Sequence, residues 1–425
     1  ELARVSKHPN RAYFIYKSII VHNLFGVDIM EEAVEICKLR LFLKLVSQVE
    51  TADRIEPLPD IDFNIRAGNT LVGYATAEEV TAAASYGSLF SLDLEQPIRD
   101  ATRELDAFRE MQTRLDLPPG VLTQAKADVT RKLDDLDTTL NTALANEYSM
   151  EVEPFIKSHQ PFHWYVQFNG IMREGGFDVI VGNPPYLEAT EVSYQPRGFR
   201  TSASRTIHAM CVEQALRLLR SAGTASMILP MSVVSTQRMK VLQDVLEKQR
   251  SAWYSNYAWR PGKLFDTVNR ALTIVVIGPE SPEPHTFSTG YKKWYSDNRD
   301  YLFSTLQYAK VPRDRQFSWV PKIGEKIEEG IIQKVLAQRF RLVTFAGSSS
   351  YRVYYRTTGG LYWKVFTDFS PRFSVNGKPG HSSRETSLSV KKKEHTQSVV
   401  AVLSSNLFWW WYTISSTLRD LNPYD

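Results

Sequence analysis

The sequence predicts an α/β protein built on a doubly wound, largely parallel sheet. Strand-like and helix-like segments alternate over the first 75 residues and again from residue 177, and several short apolar runs end in polar residues. This alternation is typical of parallel strands joined by crossover helices. At 425 residues the chain has room for two or three domains. Ligands of such sheets bind beyond the carboxyl ends of the strands, so polar residues there are the first candidates for a site.

Composition excludes several other classes of protein. Hydrophobic residues make up 43% and charged residues 23% of the chain, as in ordinary globular proteins, and no run of eighteen apolar residues predicts a membrane span. The two cysteines, Cys37 and Cys211, both lie in apolar helical patterns. We therefore expect neither a disulfide framework nor a metal site, and we expect a reduced, cytoplasmic compartment.

The first strand–helix unit begins at residue 24. Residues 24–28 are apolar and end in Asp28, and a helix with acids in its first turn follows, with its apolar stripe at Val34, Cys37, Leu41 and Leu45. Residues 65–73 predict a second strand with a polar loop at its end.

A helical hairpin inserted between sheet strands is predicted for residues 93–157, approximately. Leu105, Phe108, Met111 and Leu115 form one helical stripe, and residues 117–120, Leu-Pro-Pro-Gly, break it before a second long helix. The charges of these helices predict a solvated face.

The sheet pattern resumes with a strand predicted to be buried at residues 177–182. A helix at 208–221 and strands at 225–230 and 272–277 follow. The proline-rich residues 279–284 then predict a linker. We accordingly predict one domain at 1–283 and a second, of α+β type, at 284–425.

Charge is distributed unequally between these two predicted domains. Residues 284–425 carry 21 Lys and Arg against 11 Asp and Glu, whereas residues 1–283 carry 30 against 36. The same C-terminal third holds 25 of the 50 aromatic residues. A basic, aromatic-rich segment indicates either a module that binds a polyanion such as nucleic acid or a basic surface without a partner.

The motif with the most specific chemistry is Asn183-Pro184-Pro185-Tyr186, directly after the strand at 177–182. Consecutive prolines stiffen the loop and leave carbonyl oxygens free as acceptors beside the Asn183 amide oxygen. Such a loop can accept both hydrogens of a planar exocyclic amine while Tyr186 stacks on the ring. The amine nitrogen then becomes a better nucleophile towards an electrophilic methyl group, by positioning and preorganisation.

With this motif the chain resembles the amino-directed, S-adenosylmethionine-dependent methyltransferases, whose signature is Asn/Asp-Pro-Pro-Tyr/Phe/Trp. Within them it looks most like the N6-adenine DNA methyltransferases of type IIG restriction–modification and BREX phage-defence (PglX-like) systems. The resemblance implies a Rossmann-like methyltransferase sheet, S-adenosyl-L-methionine as cofactor, and double-stranded DNA as partner, with other restriction or phage-defence subunits alongside. It also implies that the target adenine is flipped out of the duplex.

The resemblance assigns cofactor contacts to three residues. Asp28 would hold the ribose hydroxyls and Ile29 would pack on the cofactor adenine, with helix capping as the alternative role of Asp28. Asn69 would meet the amine of that adenine, and its alternative is a turn residue.

Phe265, in Gly-Lys-Leu-Phe-Asp at 262–266, would by the same resemblance pack on the flipped base opposite Tyr186. The alternative for Phe265 is an ordinary core phenylalanine.

Two motifs of the family are absent from the sequence. No Gly-x-Gly, the loop that holds the methionine end of the cofactor, and no Glu-x-Lys nuclease core occurs in the 425 residues. We therefore expect the first cofactor motif to lie upstream of Glu1 and this chain not to cleave DNA.

Residues 284–425 resemble the target-recognition domain of the same family. In DNA-binding domains, lysine side chains usually contact phosphates, whereas arginine side chains more often read a base edge. The candidates for DNA contact are Arg352, Arg356, Lys378, Arg384, Lys391, Lys392 and Lys393.

Two alternatives to a DNA adenine methyltransferase remain open at this point. One is a non-catalytic DNA-recognition fragment or subunit, and the other is an amine methyltransferase that acts on RNA or on a protein glutamine.

Overall fold

A computed structural model describes residues 5, 8, 10–49, 57–85, 93–114, 118, 120–313, 317–357, 366–380, 382–418 and 420–421. The chain forms two compact units, each described by itself below. The first comprises Glu1–Phe177, Glu188–Phe199 and Gln214–Arg220, and the second comprises Asp178–Leu187, Arg200–Glu213 and Ser221–Asp425. This division differs from the predicted one at residues 283/284.

The α-helices are α1 (Arg11–Asn23), α2 (Glu31–Val46), α3 (Ala77–Ser85), α4 (Glu95–Met111), α5 (Val121–Glu147), α6 (Val152–His159), α7 (Trp164–Gln167), α8 (Asn169–Arg173), α9 (Ile207–Leu218), α10 (Ser232–Ser235), α11 (Lys240–Leu246), α12 (Lys326–Leu336), α13 (Glu394–Leu403) and α14 (Asn406–Ser415).

The strands are β1 (Gly26–Asp28), β2 (Ile65–Ala67), β3 (Phe177–Gly182), β4 (Leu219–Pro230), β5 (Arg250–Tyr257), β6 (Leu272–Glu280), β7 (Thr286–Lys292), β8 (Ala309–Lys310), β9 (Arg352–Arg356), β10 (Phe366–Thr367), β11 (Phe373–Val375), β12 (Lys378–Gly380) and β13 (Glu385–Ser389). They form a parallel pair, β1-β2, a six-stranded sheet, β3-β4-β6-β5-β7-β8, a three-stranded sheet, β10-β9-β13, and a two-stranded sheet, β11-β12.

The predicted α/β class is confirmed, but the six-stranded sheet is mixed and not largely parallel. Strands β4 and β6, β5 and β6, and β7 and β8 pair antiparallel, and β5 and β7 pair parallel. The sequence pattern missed β5, which lies between β6 and β7. Strand β5 shows no continuous apolar pattern because several of its buried residues are polar. Asn256, for example, is fully buried: its Nδ2 donates to Ser288 and Thr289, and its Oδ1 accepts from Thr273.

The predicted helical hairpin corresponds to α4 and α5 in the first unit. Leu105 and Phe108 of α4 are buried in one cluster with Val129, Leu133, Leu136 and Leu140 of α5. The same cluster includes Phe63 and Val72, so the hairpin packs on the segment around β2. Residues 117–120 were predicted to separate the two helices, and residues 117 and 119 lie outside the described residues. Leu115, the last residue of the predicted apolar stripe of the first helix, also lies outside them.

The apolar stripe predicted for the helix after Asp28 packs into a separate hydrophobic core of the first unit. Val34 and Leu45 of α2 are buried with Tyr13 and Ile20 of α1 and with Ile65 of β2, and Cys37 and Leu41 pack against them. These contacts pack the start of β2 against α1 and α2.

The prediction of a buried strand at 177–182 is wrong, because none of the six residues of β3 is buried. Val179 is 65% exposed and Val181 is 76% exposed. Strand β3 is the end strand of its sheet, and these two side chains lack a covering layer among the described residues. A continuous apolar run shows β-propensity but does not show which face the fold covers.

The predicted linker is also wrong. Strand β6 continues through Pro279 to Glu280, and β7 begins at Thr286 in the same sheet. Residues 281–285 are therefore a connection between two strands that both pair with β5. The assignment of residues 284–425 to target recognition stays a prediction.

No helix among the described residues is long and apolar enough to cross a membrane. Within the same residues, no group of three or more His, Cys, Asp or Glu side chains has the arrangement of a metal site.

Candidate active site

The loop that carries Asn183-Pro184-Pro185-Tyr186 begins where β3 ends, in the second unit. The Tyr186 hydroxyl lies 2.8 Å from Asn183 Oδ1 and 3.1 Å from the carbonyl oxygen of Ile228 in β4, so its proton is shared between two acceptors. In this arrangement the Asn183 side-chain oxygen, and not its nitrogen, faces the Tyr186 hydroxyl. The tyrosine therefore fixes the amide on which the predicted chemistry depends.

The environment of this loop differs between its two faces. Asn183 and Pro185 are exposed, whereas the Tyr186 ring is half-buried. Burial raises the pKa of Tyr186 to about 12, although the nearby Arg270 charge lowers it in part. The hydroxyl is thus protonated, and a hydrogen-bond donor, throughout the neutral range.

The structure brings Phe265 to the same place. Tyr186 and Phe265 both pack against one buried cluster, made of Tyr257, Leu264, Leu272, Trp294 and Leu302. Both rings are only half-buried, so each has a surface beyond the cluster. This arrangement suits both roles considered for Phe265, since it packs on a core and also lies near Tyr186.

Two further residues contact the Tyr186 ring, and the sequence analysis did not select them. The His208 ring meets it edge-on, at 6.3 Å between centroids and 89° between planes. The Arg270 guanidinium carbon lies 5.8 Å from the Tyr186 ring centroid. Neither residue belongs to a local motif, and only the positions of α9 and of the loop before β6 bring them here.

Asp28 is the last residue of β1, in the first unit. Its carboxylate is exposed, and Oδ1 accepts a hydrogen bond of 2.9 Å from the backbone N–H of Met30. The helix-capping alternative is wrong, because the N-cap of α2 is Met30 and no side chain caps it; Asp28 shapes the turn before the helix. Oδ2 has no hydrogen-bond donor among the described residues. Ile29 next to it is 38% exposed.

Asn69 follows β2, and its neighbourhood is close to that of Asp28. The backbone N–H of Gly68 donates to the carbonyl oxygen of Asp28 at 2.8 Å. Asn69 itself is only 2% exposed, and its Oδ1 accepts from the backbone N–H of Leu71 at 3.0 Å, as in a turn. Its buried Nδ2 has no hydrogen-bond partner within the described part of the chain. The predicted contact with an adenine amine needs an acceptor, which Oδ1 offers through its second lone pair, whereas Nδ2 is a donor.

The loop after β2 is covered by the chain that follows the helical insertion. The backbone N–H of Asn69 donates to the carbonyl oxygen of Gln160 at 2.7 Å, and that of Phe162 donates to Val72 at 2.7 Å. Gly73 has φ +136°, and a Cβ there would lie 2.1 Å from the Phe162 carbonyl oxygen. The backbone approach is possible only with glycine at residue 73.

Three of the predicted DNA contacts lie together on the three-stranded sheet of the second unit. Arg352 and Arg356 are exposed at the two ends of β9, on the face opposite the buried Val353 and Tyr355. Arg352 Nη1 donates to Ser387 Oγ at 3.0 Å, and Arg384 directly precedes β13. This face therefore presents the guanidinium groups of Arg352 and Arg356 to solvent.

The predicted lysine contacts occupy other positions. Lys378 is exposed on β12 of the two-stranded sheet. The segment between β13 and α13 exposes Lys391, Lys392 and Lys393. Lys391 Nζ donates to the Thr344 carbonyl oxygen at 2.8 Å, and Lys392 Nζ lies 3.5 Å from Glu394 Oε1.

Comparison with known proteins identifies the family. The model of the Eco57I restriction-modification methylase family matches residues 22–257. That is more than half of the chain, and the chain belongs to this family. The resemblance to restriction–modification methyltransferases drawn from the Asn183–Tyr186 motif is confirmed. Residues 258–425 lie outside the match.

A relative from Methanocaldococcus jannaschii, described as "Putative type II restriction enzyme and methyltransferase", is 27% identical. The alignment runs over 371 residues and covers 73% of this chain and 31% of the relative. The chain thus spans about a third of that protein's length.

Two solved structures illustrate the similarity in three dimensions. A nuclease-deletion mutant of the type ISP restriction–modification enzyme LlaGI, in complex with a DNA substrate mimic, is 12% identical with a TM-score of 0.32, over 75% of this chain and 35% of that one. A type I restriction–modification methyltransferase subunit from Streptococcus thermophilus is 13% identical with a TM-score of 0.23, over 79% and 91%. At these TM-scores neither structure defines the fold of this chain.

Proposed function

We propose that this chain is part of a site-specific DNA adenine-N6 methyltransferase of a restriction–modification or phage-defence system. It would transfer methyl from S-adenosylmethionine to an adenine flipped out of the duplex. Membership of the Eco57I family supports the reaction class. The observation that carries the choice of an exocyclic amine is the Asn183 amide oxygen, oriented by the Tyr186 hydroxyl on a proline-stiffened loop.

The chain's own residues act on the target amine by accepting its hydrogens. An amide oxygen has two lone pairs, so Asn183 Oδ1 can hold the Tyr186 hydroxyl with one and accept an amine hydrogen with the other. The Pro184 carbonyl is the candidate for the second hydrogen. Drawing both hydrogens into these bonds leaves the nitrogen lone pair free of the ring's conjugation. The fixed loop lowers the barrier because its dipoles need no reorganisation.

The candidate cofactor residues in the first unit carry the groups that S-adenosylmethionine needs. Asp28 offers an exposed Oδ2 to ribose hydroxyls while Oδ1 shapes the turn into α2. Asn69 Oδ1 keeps a second lone pair beside its bond from Leu71, which suits the amine of the cofactor adenine. The bound cofactor would supply an electrophilic methyl group.

Double-stranded DNA is the proposed partner, and the arginine-bearing face of β9 and the lysines at 391–393 are the proposed contacts. Phosphate contacts would hold the duplex in register, and arginines would read base edges. We place the reaction in the bacterial cytoplasm, where the DNA is.

The test is methyl transfer from labelled S-adenosylmethionine to plasmid DNA by the intact protein, with sequencing of the product to locate methylated adenines. Asn183→Ala should lower the rate at least about a hundredfold, as expected for loss of a preorganised polar group. DNA binding should stay unchanged, since Asn183 does not hold the duplex.

Asn146→Ala is the matched control, because Asn146 is an exposed asparagine on α5 with no part in the site. It should transfer methyl like the wild type. An Asn183→Ala protein that methylates DNA at the wild-type rate would refute the proposed role. Methylation of cytosine in place of adenine would refute the proposed specificity.

A further inference from the structure

Residues 294–303 pack beside the loop that carries Phe265, all within the second unit. Trp294 is 4% exposed and Leu302 is 2% exposed, and both belong to the cluster against which Tyr186 and Phe265 pack. The two ends of this short segment are therefore fixed to the same core as the proposed base-binding rings.

Hydrogen bonds attach the middle of the segment to that loop. Arg299 donates from Nη1 to the Lys263 carbonyl oxygen at 3.3 Å and from Nη2 to that of Leu264 at 2.8 Å. In return, the backbone N–H of Gly262 donates to the Trp294 carbonyl oxygen at 2.8 Å. Arg299 thus binds the two residues immediately before Phe265, and the segment and the loop form one rigid surface.

Three large aromatic side chains on this fixed segment point away from the core. Tyr295 and Tyr301 are each 67% exposed and Phe303 is 60% exposed, and we name these three residues the aromatic ridge. The inner edge of the Phe303 ring meets the buried Tyr257 ring at 6.2 Å between centroids. Exposed aromatic rings on a rigid support lose little conformational entropy when they bind, so they are suited to contact a partner.

The charges around the aromatic ridge favour a polyanionic partner. Residues 258–271 and 292–303 together contain six cationic side chains, at Arg260, Lys263, Arg270, Lys292, Lys293 and Arg299, and three acidic ones, at Asp266, Asp297 and Asp300. Cationic groups that alternate with exposed aromatic rings are the chemistry that binds unpaired nucleotides, through phosphate attraction and base stacking.

We propose that the aromatic ridge stacks on bases of the DNA next to the extruded target adenine. This inference rests on the proposed function and adds a binding surface to it. Extrusion of one base leaves its neighbours with exposed faces, and a ridge attached by Arg299 to the Phe265 loop lies where such bases would emerge. Arg299 is a positioning residue in this arrangement.

The first experiment measures the rate of methyl transfer as a function of the concentration of a short, unmethylated duplex. The duplex is centred on a site that the wild-type protein methylates. Tyr295→Ala and Tyr301→Ala should each raise KM for the duplex by about 5- to 150-fold, the range for loss of one stacked base, with little change in kcat. Tyr295→Phe and Tyr301→Phe keep the ring and should restore wild-type KM. Phe340→Ala is the control, because Phe340 is 69% exposed in the same unit and lies outside the ridge.

The second experiment replaces single thymines beside the target adenine by 5-iodouracil and irradiates the complex. Crosslinks should map to Tyr295, Tyr301 or Phe303 by peptide sequencing. If the wild type methylates DNA but the ridge variants keep its KM and no crosslink maps to the ridge, the ridge proposal is wrong and the proposed function survives. If the wild type transfers no methyl group to DNA, both are wrong.

Discussion

At the scale of single residues, the contact between Tyr186 and Asn183 changes the role of the tyrosine. The sequence predicts Tyr186 as a stacking ring, whereas the structure also makes it the donor that orients the Asn183 amide, at 2.8 Å. The hydroxyl also donates to Ile228 of β4, so the loop is anchored to the sheet through one side chain.

Tyr186→Phe separates the hydroxyl from the ring. The variant keeps the packing against the Tyr257 cluster and should lower kcat by about two- to tenfold, the value of one ordinary hydrogen bond. Because burial raises the Tyr186 pKa to about 12, the hydroxyl stays protonated across the neutral range, and the loss should not vary with pH there. The measurement is methyl transfer from labelled cofactor between pH 6 and pH 9, as an approximate neutral window.

Tyr186→Ala is the comparison, since it removes the ring as well and should cost more. A Tyr186→Phe protein with wild-type kcat at every pH would show that the hydroxyl does not position Asn183.

Residue types and their spacing could predict the loop at 183–186, because its chemistry depends on four consecutive residues. They could not predict the contacts of His208 and Arg270 with Tyr186, since those depend on where distant segments pack. The burial of Asn69 was also hidden, because it follows from the distant segment that covers the loop after β2.

At the scale of elements, the loop after β2 depends on the segment that follows the helical insertion. Gln160 and Phe162 bond its backbone, and Gly73 allows the chains to approach. The loop after the short β2 is thus held by residues about ninety positions further along the chain. No local sequence pattern predicts the backbone hydrogen bonds between these two distant segments. The helices of the insertion, by contrast, are predicted by the spacing of their apolar residues.

Gly73→Ala should destabilise the first unit strongly. The new Cβ would lie 2.1 Å from the backbone oxygen of Phe162, and φ is +136°, so both a clash and backbone strain oppose alanine. We expect a loss of more than about 3 kcal/mol in the free energy of unfolding, measured by urea denaturation.

Gly175→Ala separates the two causes. Gly175 has φ +100° but no atom within 4 Å of an added Cβ, so the substitution adds strain without a clash. It should cost about 1–2 kcal/mol. Equal effects of the two substitutions would show that the approach of Phe162 is not what requires glycine at residue 73.

At the scale of the whole chain, the excess positive charge of residues 284–425 predicts salt-dependent DNA binding. If about four to six of its cationic groups neutralise phosphates, log affinity should fall against log salt with a slope of roughly −4 to −5. Lys391, Lys392 and Lys393, all replaced by alanine, should flatten that slope by up to about 3 and weaken all duplexes alike.

Arginines that read bases should behave differently. Arg352→Ala or Arg356→Ala on the exposed face of β9 should cost about 1–3 kcal/mol on the cognate duplex only. Competition binding to cognate and scrambled duplexes at two salt concentrations measures both effects. If removal of all these side chains leaves affinity and site preference unchanged, recognition lies elsewhere in the protein.

The connection between β6 and β7 has a consequence for protein engineering. Recombining catalytic and recognition halves from different relatives at the prolines of residues 279–284 would cut through one hydrogen-bonded sheet, because β5 pairs with β6 on one side and β7 on the other. A chimaera made there would have to rebuild the β5–β7 register from two unrelated parents. A protease nick in the same stretch should leave two pieces that still migrate together under native conditions.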